Sequence, residues 1–236
     1  MANLKLSQRL TLIQQLLGQG LRLIDVGTDH AYLPIACVKA GSFQEALATD
    51  IAEKPLKLAQ SNIAFNNLVA QIKTKCTAGL TNIKVKSTDK IAIAGMGGLE
   101  IKQILLDAIV NKQLFLGQNL VLQANWNWHE LRFFLAEAGI EIVSEHLLWE
   151  KGHFYNLNYC QFTNLPYSIN LIESFVGKEL VQKLDETDVS TSIELPKLEK
   201  DYLNYLHRLA SNKSKGDTKW LEVVAWLELA ISKQEK

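Results

Sequence analysis

The chain lacks electrostatic bias: Lys+Arg and Asp+Glu number 25 each in 236 residues. Without a net field, composition offers no argument for a nucleic-acid partner, which would have to be met by a local patch. Residues 71–90, with Lys73, Lys75, Lys84, Lys86 and Lys90 against Asp89, read as such a patch or equally as a solvated lysine-rich loop. Cysteine is scarce too. Cys37, Cys76 and Cys160 stand far apart with no C-x-x-C pair, which argues against a disulfide framework and gives no metal-ligand spacing. Their apolar surroundings predict buried free thiols in a reducing compartment. No signal-peptide core appears, and no apolar run nears the roughly 18 residues of a membrane span. A cytoplasmic location with no membrane or metal partner is therefore expected. No Ser/His/Asp arrangement suggests nucleophilic catalysis. Nothing in the chain fixes the oligomeric state, and a monomer is the expectation.

What is present is an ordinary globular composition, 47% hydrophobic and 21% charged, in a length that suits one large domain with a small appendage. Apolar residues recur at helical spacing over residues 4–17, with Ser7 as a cap and Gly18 and Gly20 as the stop. Strand and helix then alternate. Strands are expected at 21–26, 46–50, 72–76, 90–94 and 120–123, and helices at 31–40, 54–66, 99–111 and 129–138. Two further strands, 140–149 and 154–162, turn at Lys151-Gly152. This predicts an α/β fold: a parallel, Rossmann-like sheet with helices on both faces and an antiparallel edge hairpin. Pro166 marks a change of texture, giving domains at 1–165 and 166–236. The second shows two helical stripes, Leu195, Leu198, Tyr202, Tyr205, Leu209 and Trp220, Val223, Val224, Leu227, Ile231. They read as an antiparallel, coiled-coil-like hairpin reached through a polar link at Glu186–Ser192.

The chemistry concentrates at Asp25-Val26-Gly27-Thr28-Asp29-His30-Ala31-Tyr32-Leu33-Pro34, at the carboxyl end of the first strand, where open α/β sheets place ligands. A dinucleotide fingerprint needs three glycines so that a pyrophosphate can rest on a helix N-terminus. Here Asp29 and Tyr32 stand in the second and third glycine positions, and a carboxylate repels phosphate. A cationic ligand without phosphate fits better, and S-adenosylmethionine is one. Asp25 suits its ammonium group, Gly27 allows close backbone approach, and Asp50 at the second strand end suits the ribose diol. Each acid alone also reads as a cap or turn former. Gly95-Met96-Gly97-Gly98 ends the fourth strand and offers bare backbone to a planar group. Asn125 and Trp126, after the fifth, can hydrogen-bond and stack a base, though Trp126 and Trp128 read equally well as core. His30 reads as a base or, more commonly, a helix cap.

These segments resemble a known family. Leu6-Ser7-Gln8-Arg9-Leu10, the Asp25–Pro34 stretch, Ala94-Gly95-Met96-Gly97-Gly98, Leu122-Gln123-Ala124-Asn125, Leu131-Arg132 and Glu150-Lys151-Gly152-His153-Phe154-Tyr155 occur in the order found in bacterial tRNA adenine-22 N1-methyltransferases (the TrmK family). The resemblance covers about residues 3–162. It implies a class I methyltransferase using S-adenosyl-L-methionine to methylate N1 of a tRNA adenine, with a C-terminal helical domain that helps hold tRNA. It implies cofactor contacts at Asp25, Gly27, Thr28, His30, Asp50, Gly79, Gly95, Met96 and Gly97, and catalytic roles for Asp29 and Asn125. Lys5, Arg9, Lys197, Lys200, Arg208, Lys213 and Lys215 are candidates for phosphate contacts, or a solvated face interleaved with Glu194, Glu199 and Asp201. The pattern departs at Ala78, where the family carries an acid before Gly79, and at Ala124, where it carries proline. Alternative readings are methyl transfer to another RNA or a small molecule, and a non-enzymatic module whose hairpin binds a partner.

Overall fold

A computed structural model describes residues 5–185 and 194–234 of the chain. The polar link at Glu186–Ser192 and the first residue of the N-terminal apolar stripe, Leu4, lie outside the described residues. The chain forms two compact units, Met1–His146 with Tyr155–Tyr167, and Leu147–Phe154 with Ser168–Lys236.

In the first unit the elements run α1 (Gln8–Leu17), β1 (Gly20–Val26), α2 (Tyr32–Lys39), β2 (Phe43–Asp50), α3 (Glu53–Phe65), β3 (Ile72–Cys76), β4 (Asp89–Met96), α4 (Gly98–Val110), β5 (Gln118–Ala124), α5 (Trp128–Glu137), β6 (Ile140–Glu150) and β7 (His153–Phe162). The last two run into the second unit at their shared turn. The sheet order is β3-β2-β1-β4-β5-β7-β6, with parallel pairing from β3 to β5 and antiparallel pairing of β5 with β7. This is the expected Rossmann-like architecture. Among the described residues no helix is long and apolar enough to cross a membrane.

Side-chain parity places the helices. Ile24, Val26, Ile91, Ile93, Leu120 and Leu122 point to one face, where Ile101 and Leu105 of α4 and Leu131 and Leu135 of α5 complete a fully buried core. The alternate residues, among them Leu23, Asp25, Ala92, Val121 and Gln123, face the side on which α1, α2 and α3 pack. Small Ala46, Ala48 and Ala92 let these helices lie close to the strands. Ser7 caps α1, its Oγ accepting the Leu10 amide at 3.2 Å, and Gly18 stops it at a φ of 60°.

The second unit holds α6 (Leu171–Val176), α7 (Lys178–Asp185), α8 (Lys197–Ser214) and α9 (Trp220–Ser232). The two long helices form the expected hairpin, but its seam is rotated from the expected stripes. Tyr202, Leu203, Leu206 and Ala210 meet Trp220, Val223, Leu227 and Ala230, while Leu198, Tyr205 and Leu209 are only half-buried. Alanines at 210 and 230 permit close helix approach, a preference that counting large apolar residues overlooks. The short α6 and α7 were not anticipated. A cap did announce α6: Asn170 Oδ1 accepts the Glu173 amide, and Glu173 Oε2 accepts the Asn170 amide, each at 2.8 Å. At the tip of the strand hairpin, Trp149 and Phe154 have ring centroids 4.5 Å apart, and Phe154 lies 5.2 Å from both Tyr202 and Tyr205.

Candidate active site

The turn leaving β1 is unusually tight. Gly27, Asp29 and Ala31 all take positive φ, at 73°, 52° and 58°. Glycine adopts this freely and aspartate tolerates it, whereas for the fully buried Ala31 it stores strain of order 1 kcal/mol. The amides of Gly27 and Thr28 both donate to the Thr49 carbonyl at 2.8 Å, tying the loop to the end of β2. Asp25 lies beneath it, 6% exposed. Burial pushes its carboxyl up to about 6, against the hydrogen bond from Thr28 and the positive charge of Arg9. Asp50 adds to the upward push. Its Oδ1 accepts the Ala52 amide at 2.9 Å, and its Oδ2 faces the Asp29 amide at 3.4 Å. Asp29 projects its carboxylate outward, with His30 Nε2 3.3 Å from its Oδ2. The His30 ring stacks on Tyr32, so it sits on the outer wall of the loop.

A cleft of about 420 Å³ opens beside these acids. Of the residues read from the sequence, Gly27, Asp50, Gly79 and Met96 line it, as does Ala78. Asp25, Thr28 and Gly95 lie outside the lining, and Asp29 and Asn125 belong to neighbouring loops. A Cβ at Gly27 would meet Met96 Cε at 2.1 Å, a flexible end that can shift, so it is the φ of 73° that favours glycine in this wall. Ile51, Leu80 and Ile104 give the cleft an apolar interior not anticipated from the sequence. Its polar lining includes the strand-end carboxylate Asp50 together with Glu100 and Asp107, and the buried Asp25 lies just beyond it. It suits a ligand with a cationic group, a vicinal diol and a flat apolar moiety.

The second half of the site is built on an irregularity. Pairing of β4 with β5 skips Gly95, since Ala94 pairs with Gln123 and Met96 with Ala124. The Gly95 amide instead donates to Gln123 Oε1 at 3.1 Å, and its carbonyl accepts from Asn125 Nδ2 at 2.8 Å. Gln123 Nε2 donates to Asn125 Oδ1 at 3.0 Å, and Arg9 Nη1 donates to Gln123 Oε1 at 2.6 Å. The Arg9 guanidinium also lies 5.4 Å from the centre of the Tyr155 ring. Arg9 therefore turns inward, in place of the phosphate contact entertained for it. The next turn is equally close, with the Gly97 amide on Glu100 Oε2 at 2.7 Å and the Gly98 amide on the Trp126 carbonyl at 2.8 Å. A Cβ on Gly97 would lie 2.4 Å from Trp126 Nε1. The two tryptophans separate here: Trp128 packs on the core, while Trp126 stays 55% exposed beside Asn125.

Other expectations shift. Cys37 and Cys160 are buried, and desolvation raises both thiols, Cys37 to about 12. Cys76 is exposed, because it ends the edge strand β3, with its Sγ 3.4 Å from the Ile51 carbonyl. In the lysine-rich segment, Lys73, Lys75 and Lys90 hold the carbonyls of Val69, Asn82 and Leu17, which favours local structure over a joined patch. In the second unit Lys197 and Lys200 meet Asp201 and Glu194 at 2.6 and 3.2 Å, and Lys213 lies over the Trp220 ring. An open groove of about 510 Å³ is lined there by Trp149, Phe154, Lys197, Asp201, Asn204 and Arg208, among others.

Residues 6–157 match the model of a family described as a methyltransferase domain. The chain belongs to this methyltransferase family. It is 32% identical over 160 residues to the tRNA (adenine(22)-N(1))-methyltransferase of Bacillus subtilis (strain 168), an alignment covering 66% of this chain and 65% of that relative's length. Among solved structures, a Streptococcus pneumoniae protein in complex with S-adenosyl-L-methionine superposes with a TM-score of 0.81 at 25% identity, over 96% of this chain and 100% of that one. M. capricolum TrmK in complex with S-adenosyl-homocysteine gives 0.73 at 25% identity, over 97% and 96%. This methyltransferase thus shares its fold with both over nearly the whole length, helical unit included.

Proposed function

We propose that the protein is an S-adenosyl-L-methionine-dependent tRNA methyltransferase that methylates N1 of adenine 22. The observation that carries the reading is the Asp50 carboxylate at a strand end in the wall of a cleft that Gly27 and Gly79 also line, with Asp25 buried under the adjoining β1 turn. That donor set answers a cationic, diol-bearing cofactor and repels a phosphate. The activity of the Bacillus subtilis relative and the ligands of the two structural neighbours support it.

When bound, the cofactor supplies an electrophilic methyl group on a sulfonium. Asp25, through the Thr28-braced loop, holds the ammonium end, and Asp50 accepts the ribose hydroxyls. Gly27, Gly79 and Met96 leave room for the cofactor body, Gly97 offers bare backbone beside Trp126 outside the cleft lining, and His30 closes the outer wall. Because adenine N1 carries a ring lone pair, no general base would be needed, and the protein's task is orientation. Asp29 accepts from the N6 amine and faces the positive charge that the ring gains. Asn125 completes recognition, and Trp126 offers a stacking surface at the same loop. A base within folded tRNA must be extruded, at a cost of a few kcal/mol. Residues 1–165 serve as the catalytic domain. Residues 166–236, with the hairpin tip that carries Trp149, hold tRNA, with Arg208 and Lys197 on phosphate and Trp149 against a base.

The test is incubation with labelled S-adenosylmethionine and unmodified tRNA transcripts, followed by nucleoside mapping. N1-methyladenosine at position 22 is expected. Transfer only to a metabolite, to another RNA, or to nothing overturns the reading.

A further inference from the structure

Besides its electrostatic pull on Asp25, Arg9 takes part in a continuous chain of hydrogen bonds. Gln123, at the other end of its contact, is fully buried. A buried primary amide can face its partners in two orientations, and here the partners remove the choice. Arginine has donors only, so the Gln123 atom facing Arg9 Nη1 at 2.6 Å is the oxygen. The Gly95 amide at 3.1 Å makes the same demand. The Gln123 nitrogen must then point to Asn125, whose facing atom becomes the acceptor Oδ1 at 3.0 Å. That turns Asn125 Nδ2 onto the Gly95 carbonyl at 2.8 Å. A positive charge on α1 thus sets which way an exposed amide two strand positions beyond Gln123 presents its donors and acceptors.

We infer that Arg9 is a positioning residue for methyl transfer, acting through the Gln123 amide to fix the orientation of Asn125 and of the Gly95 backbone. The inference rests on the proposed role of Asn125 and Gly95–Gly97 at the acceptor base. With the relay intact, Asn125 keeps one acceptor lone pair of Oδ1 and one N–H of Nδ2 for the base. Without Arg9, the charge-assisted bond, the shortest in the relay, is lost and Gln123 Oε1 keeps the longer contact from the Gly95 amide. The role needs the donor end of Arg9, and not its apolar stem.

The variants Arg9→Met, Arg9→Lys and Gln123→Glu separate this from a structural role. Gln123→Glu keeps the acceptor for Arg9 and Gly95 and replaces the N–H aimed at Asn125 with a carboxylate oxygen that repels Asn125 Oδ1, the added charge facing Arg9. Expected are a kcat at least tenfold lower for Arg9→Met and Gln123→Glu, KM for cofactor and tRNA within about threefold of the wild type, and partial rescue by Arg9→Lys. In the double variant the two losses should not multiply. Wild-type kcat in Arg9→Met or Gln123→Glu overturns the inference, as does a loss confined to KM. The Asn125 side-chain ¹⁵N–¹H signals of the ligand-free protein give a readout independent of activity. They should move in Arg9→Met, and unmoved signals overturn the inference whether or not the protein methylates tRNA. An inactive wild type with shifted Asn125 signals instead overturns the proposed function and leaves the relay standing.

Discussion

Thr28 Oγ1 donates a 2.6 Å hydrogen bond to Asp25 Oδ2 inside the turn that closes β1. The bond favours the ionised carboxylate, yet burial outweighs it and leaves the group near 6. An acid whose folded-state value lies above its unfolded one binds extra protons when folded. Its contribution to stability therefore falls as pH rises from about 4 to above 6, by about 3 kcal/mol. The ligand-free protein should be more heat-stable at pH 5 than this residue allows at pH 7.5. Asp25→Asn should remove that slope and raise the ligand-free melting temperature above pH 6, while weakening cofactor binding at least tenfold. Melting curves across pH, with and without S-adenosylhomocysteine, check both signs. A variant that binds as tightly as the wild type removes Asp25 from the cofactor site.

Asp29 is the exposed carboxylate of the same turn, and its positive φ makes asparagine the least disruptive replacement. Asp29→Asn should keep the melting temperature within a degree or two and cofactor affinity within threefold. On the proposed role of Asp29 as acceptor for the N6 amine, the methyl-transfer rate should fall at least a hundredfold. Single-turnover kinetics with saturating tRNA measure this.

Ala78 lines the cofactor cleft next to Gly79, and its side chain is exposed. A carboxylate there would face solvent until an exocyclic amine entered the cleft, so Ala78→Asp should be nearly neutral for stability. A new charge-assisted hydrogen bond contributes roughly 1.5 kcal/mol, or about tenfold in affinity. Calorimetric titration with S-adenosylhomocysteine should show the gain, and the adenine-free analogue S-methylmethionine should show none.

Arg208 and Trp149 line the groove of the helical unit with Lys197. Arg208→Ala should raise KM for tRNA three- to tenfold, leave cofactor affinity unchanged and reduce the salt slope of tRNA binding by about 1. Trp149→Ala should weaken binding without changing that slope, since stacking carries no counterion release. Filter binding over a range of salt concentrations distinguishes the two.

The parts of the site legible in the sequence are those announced by local chemistry. Asp25, Gly27 and Asp50 stand where strands end, and turns there need glycine or tolerate acids. Gly95, Gly97 and Gly98 were legible as a bare-backbone turn for the same reason. Arg9 and Gln123 were not, because their meeting depends on which face of the sheet α1 covers, and that follows from strand order. Gln123 looked like one polar residue at a strand end; only its parity with Val121 sends it toward α1. Cys76 looked buried because its neighbours are apolar or long-chained, whereas edge position decides its exposure. The short α6 and α7 carry too few turns for periodicity to register, and only the Asn170–Glu173 cap marked the first of them.

The skipped residue at Gly95 has a consequence for how such a pocket changes over time. Where two strands pair residue for residue, any substitution that shifts their backbones unsettles the whole ladder. Here one residue of β4 has left the ladder, and its amide and carbonyl are plugged instead into the side chains of Gln123 on β5 and Asn125 just beyond it. The turn is therefore a socket whose wiring is side chain to backbone. Exchanges at 123–125, such as the alanine at 124 where relatives of the resembled family carry proline, can retune what the socket accepts while the strands beneath keep their register.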